Sequence, residues 1–195
     1  MLELVLVRHG ETDGNTRGAF LGWTDEELNS EGLKQSGIVR DRLGKIKFDK
    51  IYSSPLKRAR HTAEIINESQ NIEIIYTESL KERNFGIWDN LTLCEVKGKY
   101  PEFYCAWERD WINYRIKEGE SALDSYCRSV EFVDRDILSK NTGTYLIVSH
   151  SGLIRFIVSY LLGMSIEDSW RFRIDNSGVA RIEVDNGYGV LTQLG

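Results

Sequence analysis

Two histidines in this chain sit where attack on phosphorus is chemically feasible. Arg8-His9-Gly10-Glu11-Thr12 follows an apolar run, and Ser149-His150-Ser151-Gly152 follows another. A neutral imidazole is a nucleophile, a guanidinium takes two phosphate oxygens in a planar fork, and a glycine lets backbone approach a ligand closely. Alone, an Arg-His-Gly triplet also reads as a polar strand end; the recurrence of the strand-histidine-glycine pattern at Val148 to Gly152 is what points to chemistry. Ser53-Ser54-Pro55-Leu56-Lys57-Arg58-Ala59-Arg60 puts Arg58 in the first turn of an expected helix, where free amides and the dipole favour an anion. The same basic turn is compatible with a solvated face. His61 lies three residues on and is open between support of that site and a surface position. Leu80-Lys81-Glu82-Arg83-Asn84-Phe85-Gly86-Ile87-Trp88 sets a carboxyl group among aromatics, which suits proton donation to a leaving oxygen but also a loop ion pair with Lys81 or Arg83. With no carboxylate or cysteine at ligand spacing beside His9, His61 and His150, no metal site is expected.

The elements that must position these residues can be read from the pattern of apolar side chains. Leu2 to Val7 is an apolar run typical of a strand buried on both faces. Ser30 can cap a helix to about Leu43 with Leu33, Ile38 and Leu43 near helical spacing. Phe48 to Ser53 reads as a second strand, and Ser54-Pro55 as the capped start of a helix reaching about Glu68. Ile72 to Thr77 is a third strand. Thr92 to Ser139 has no strand pattern and reads as two or three aromatic-rich helices, with Trp107, Trp111 and Tyr114 spaced along one helix face. Thr144 to Ser149 is again a buried strand, followed by a helix from Ser151 to Leu162; Val179 to Val184 and Tyr188 to Leu194 form a hairpin across Asn186-Gly187. This order predicts an α/β fold: a three-layer α/β/α sandwich with a mainly parallel sheet, an antiparallel edge and a helical lid. Ligands in such sheets bind beyond the carboxyl ends of the strands, which is where His9, Arg58, Glu82 and His150 all fall.

Composition narrows the function classes. No repeat or linker divides the 195 residues, so residues 1–195 are expected to form one domain. A net charge of −5 argues against a nucleic-acid partner, which needs a basic face. The odd, unpaired set Cys94, Cys105 and Cys127, the absence of a basic leader before Leu2 and the lack of a membrane-length apolar run make the expected setting cytoplasmic, with no membrane partner. The oligomeric state is left open, a homodimer among the alternatives. No G-x-G-x-x-G follows the first strand, which disfavours a dinucleotide cofactor.

Together, RHGET at 8–12, GWTDEELNSEG at 22–32, SSPLKRARHTA at 53–63, LKERNFGIW at 80–88, EGES at 118–121 and VSHSGLIR at 148–155 resemble the histidine phosphatase superfamily over essentially the whole chain. The resemblance implies a phosphomonoester hydrolase without cofactor or metal. It implies a phosphohistidine at His9, a phosphate pocket of Arg8, Arg58 and a cationic His150, Glu82 as proton donor, and Asn15, Thr16 and Gly22 on the substrate side. Within that family, phosphoglycerate mutases generally carry a tyrosine-glycine pair after the glutamate, where this chain has Asn84-Phe85-Gly86, which favours hydrolysis. The Trp107, Trp111 and Tyr114 pattern followed by EGES resembles the alpha-ribazole phosphatases, which implies a small-molecule phosphomonoester with an aromatic leaving part. A phosphoglycerate mutase, a broad-specificity sugar phosphatase and a non-enzymatic phosphate-binding scaffold are the competing readings.

Overall fold

The alternation expected of a strand buried on both faces sends Leu2, Leu4 and Leu6 to one side and Val5 and Val7 to the other, none more than 2% exposed. This is the first strand of the computed structural model, which describes residues 1–195. The strands are β1 (Leu2–Arg8), β2 (Lys50–Ser53), β3 (Ile74–Tyr76), β4 (Gly143–Ser149), β5 (Val179–Asp185) and β6 (Tyr188–Leu194), ordered β3-β2-β4-β1-β5-β6 in one sheet. β1 to β4 pair in parallel, and β5 and β6 add an antiparallel edge. Seven helices follow the same chain order: α1 (Asp13–Thr16), α2 (Ser30–Leu43), α3 (Lys57–Asn67), α4 (Leu93–Lys99), α5 (Pro101–Arg109), α6 (Ala122–Phe132) and α7 (Ser151–Leu161).

Val39 of α2 and Ala59, Ala63 and Ile66 of α3 cover the Val5 and Val7 face, while Phe132 of α6 and Ile154, Ile157 and Val158 of α7 cover the leucine face. Each buried valine, leucine, isoleucine or phenylalanine among them is worth roughly 1.5–3 kcal/mol, and the alanines less. The two histidines therefore follow strands, β1 and β4, that are buried in both core clusters. A third cluster, Trp88, Val96 and Ile116 with Phe20, Tyr104, Trp107 and Tyr114 around it, makes a separate core for the helical lid. No helix is long and apolar enough to cross a membrane.

The fold matches the expected class, with local corrections. Asn29, not Ser30, caps α2, accepting from the Gly32 N–H. Leu33 and Ile38 are 41% and 67% exposed, and the inward face is instead Gly32, Ser36, Val39 and Leu43. The reason is close packing: a Cβ on Gly10 would stand 2.5 Å from the Gly32 carbonyl, so small residues are required where the His9 loop crosses the helix. β2 and β3 are shorter than their apolar runs. Helix α3 starts at Lys57; Ser54 does not cap it but lies at the end of β2, where its hydroxyl accepts from Leu56. Three helices fill residues 92–139, but α5 ends at Arg109, so Trp111 and Tyr114 lie beyond it rather than on its face.

Candidate active site

His9 leaves β1 with its ring 3% exposed and its Nδ1 2.7 Å from the Gly10 carbonyl. A carbonyl only accepts, so Nδ1 carries the proton and Nε2 keeps its lone pair. Burial first, then the charges of Arg58 and Arg8, hold the His9 pKa well below the ordinary histidine value, so the ring is neutral. The His150 ring lies 5.1 Å from that of His9, centroid to centroid, and its Nε2 is 2.8 Å from Ser54 Oγ. Burial, with Arg58 next, also holds His150 well below the ordinary value. A cationic His150 is therefore not the state of the free protein: desolvation among guanidinium groups removes the proton. With the Ser54 hydroxyl donating to Nε2, the neutral ring carries its proton on Nδ1, the nitrogen left without a protein partner.

Arg58 is wholly buried in the first turn of α3, and its Nη atoms donate to the carbonyls of Leu21, Gly22 and Thr24. Burial brings its pKa down to about 10, still cationic at neutral pH. Arg8 donates through Nη1 to the Ile174 carbonyl. Seven buried side-chain nitrogen or oxygen atoms in the chain have no protein partner, and three of them are Arg8 Nε, Arg58 Nε and His150 Nδ1. Buried donors are normally satisfied. These three nitrogens belong to residues at or beyond the carboxyl ends of β1, β2 and β4, as His9 does. Nowhere in the fold do three or more His, Cys, Asp or Glu side chains gather to hold a metal ion.

Glu82 is 8% exposed and accepts at Oε1 from the Arg83 N–H and at Oε2 from the Gly152 N–H in the first turn of α7. Gly152 makes this approach feasible, since a Cβ there would stand 2.5 Å from Oε1. Arg8, His9, Asn15 and Glu82 line a cavity of about 230 Å³. Asn15 is held there by Asn176, whose amide donates to its Oδ1. Thr16 does not join them: it is exposed and its hydroxyl bonds back to Thr12 and Glu11 within its own turn. Gly22 acts through its backbone, accepting from Arg58 and donating to Asp89. His61 is on the outer surface beside Glu27, Lys57, Arg60 and Glu64, because one turn of three residues rotates it off the inward face that Arg58 and Thr62 share.

The far wall of the cavity is aromatic: Phe20, Phe85, Trp107, Trp111, Phe156 and Trp170. Trp111 meets Trp170 edge-on at 5.7 Å. Tyr114, expected on one face with Trp107 and Trp111, stacks on Trp88 inside the lid core instead. No sequence pattern described above assigns a role to Trp170 or Arg155. Arg155 faces the cavity with its guanidinium 4.4 Å over the Trp170 ring. Its signal was its place one turn after Ser151 in a helix opening on the site; Trp170 stands alone in the sequence and had none.

A family model of the histidine phosphatase superfamily (branch 1) matches residues 4–195. Phosphoserine phosphatase 1 of Hydrogenobacter thermophilus is 32% identical over 194 residues, spanning 100% of this chain and 92% of that protein. The adenosylcobalamin/alpha-ribazole phosphatase of Salmonella typhimurium is 31% identical over 99% of this chain and 96% of its own. The crystal structure of the alpha-ribazole phosphatase from Shigella flexneri superposes with a TM-score of 0.93 at 29% identity, covering 99% of this chain and 96% of that one.

Proposed function

Because the chain belongs to the histidine phosphatase superfamily and is an enzyme acting on phosphate esters, we propose that it hydrolyses phosphomonoesters through a phosphohistidine at His9, with alpha-ribazole 5′-phosphate as its substrate. The reaction rests on one observation: the uncommitted Arg8 Nε, Arg58 Nε and His150 Nδ1 grouped with a neutral His9. In the first step His9 Nε2 attacks phosphorus, the ester P–O bond breaks, and Glu82 protonates the departing alkoxide. The three donors take the equatorial oxygens, whose charge grows in the transition state. In the second step water attacks the phosphohistidine while Glu82, now a carboxylate, takes the water's proton. Inorganic phosphate leaves and His9 is restored.

The aromatic wall supports the substrate. A flat heteroaromatic group can stack between the lid and Trp170, and its ribose can lie beside Glu82 and Arg155. Phosphoserine, the substrate named for one relative, carries an ammonium group, and Glu82 is the only carboxylate on the cavity wall. The deciding experiment is a kcat/KM series with excess chelator on alpha-ribazole 5′-phosphate, phosphoserine, 3-phosphoglycerate and a sugar phosphate. The ribazole ester should be turned over best, and chelator should not matter, because guanidinium groups neutralise the phosphate. A higher value for phosphoserine or phosphoglycerate would keep the mechanism and discard the substrate.

A further inference from the structure

Resting on the reading of Glu82 as proton donor, we infer that Arg128 and Glu120, neither of which touches the cavity, act as a clamp that aims Glu82 at the leaving oxygen. Arg128 is on α6, behind the loop that carries Glu82. Its Nη1 donates to the carbonyls of Ser79 and Lys81, both at 2.9 Å, and of Glu78 at 3.2 Å. Its Nε and Nη2 grip the two oxygens of Glu120 at 3.2 and 3.0 Å. Glu120 completes the circuit: its Oε2 accepts from the Asn84 N–H at 2.8 Å, its own N–H donates to the Asn84 carbonyl, and its carbonyl accepts from Arg83 Nε. The loop is thus fixed on both sides of Glu82, by Arg128 before it and by Glu120 after it.

An exposed ion pair would be worth little. This one is two-pronged and its side chains are only 20% and 18% exposed, so it is rigid as well as charged. Rigidity matters here because the Glu82 carboxyl is oriented by the Arg83 N–H, and the carbonyl of that same peptide, Glu82 O, accepts from Arg128 Nη2 at 3.4 Å. A displacement of about 1 Å in a catalytic group can cost on the order of 100-fold in rate. Arg128 and Glu120 are accordingly positioning residues.

The test uses leaving-group dependence, because a poor alkoxide needs Glu82's proton and a phenolate does not. Wild type, Glu82→Gln, Arg128→Met and the double variant are compared on an alkyl phosphate and on p-nitrophenyl phosphate, with thermal melts of each. Arg128→Met should lose about 10- to 100-fold in kcat on the alkyl ester and less than about threefold on the aryl ester. In the Glu82→Gln background the same change should cost nothing further on the alkyl ester. Equal losses on both esters would make the pair merely structural and overturn the inference, as would a selective loss that persists without Glu82. If Glu82→Gln is itself unselective, the proton-donor reading fails, and this is seen without any Arg128 variant. Should Arg128→Met not fold at the assay temperature, Arg128→Lys, which keeps the charge and loses the fork, is judged by the same selectivity.

Discussion

His9 and Glu82, which line one end of the cavity, and the fully buried Arg58 and His150 are no more than 8% exposed, and each is tied by hydrogen bonds to backbone or to Ser54. At the other end Trp107, Trp111 and Trp170 are placed by ring packing, and Trp170 is 58% exposed. The first end sits on strand ends and helix starts, where geometry is set by the sheet. The second is assembled from the loop after α1, the lid and the turn at Glu167–Arg171. The side chains proposed for the chemistry thus follow the sheet's strand ends, while those proposed for selectivity sit on the lid and on loops outside the sheet.

The largest expected effect breaks the phosphate end. His9→Ala should reduce turnover by about 10⁴-fold or more, as loss of a covalent nucleophile does. Rapid quenching of the wild type with labelled substrate should trap an acid-labile, base-stable phosphoenzyme that the variant lacks; label retained in the variant would disprove the assignment. A smaller effect belongs to the aromatic end. Stacking on a ring is worth about 1–3 kcal/mol, so Trp111→Ala should lower kcat/KM for alpha-ribazole 5′-phosphate by about 5- to 150-fold and change p-nitrophenyl phosphate hydrolysis little. Trp170→Ala should do the same more weakly, since that ring is already partly in water. Parallel losses on both substrates would mean the two ends are not separable.

The smallest effect concerns stability. His9 and His150 are held well below the ordinary histidine range by burial and neighbouring guanidinium groups, whereas the unfolded chain protonates them near pH 6.5, at about the usual value. More protons are then bound by the unfolded state at low pH. The stability is fully present above the unfolded pKa and is lost as pH falls below it, by at most about 1.4 kcal/mol per pH unit per histidine. Melting temperatures measured from neutral pH down to about pH 5 should fall less steeply for His150→Asn than for wild type. Identical slopes would contradict the buried neutral ring.

Where His9, Arg58 and His150 fall on the fold was legible because it depends on local rules. An apolar run ending in His9 or His150 has one place to go in a parallel sheet, and Arg58 in a first helical turn points where anions bind. The same rules misplaced α2's inward face, because Leu33 and Ile38 obey helical spacing while contact with Gly10 obeys volume. They also put Tyr114 and Trp111 on one face, though one packs on the lid core and the other lines the cavity.

What the amino-acid sequence determined by itself is the order of strands and helices and the residue types at their ends, since hydrophobic period and capping act over a few neighbours. What only the tertiary structure decided is the protonation of His150, the Arg128–Glu120 grip on the Glu82 loop, and the meeting of Trp111 with Trp170. Those depend on burial and on contacts between residues far apart in the chain, and no local pattern encodes how much water a side chain loses or which distant ring it meets.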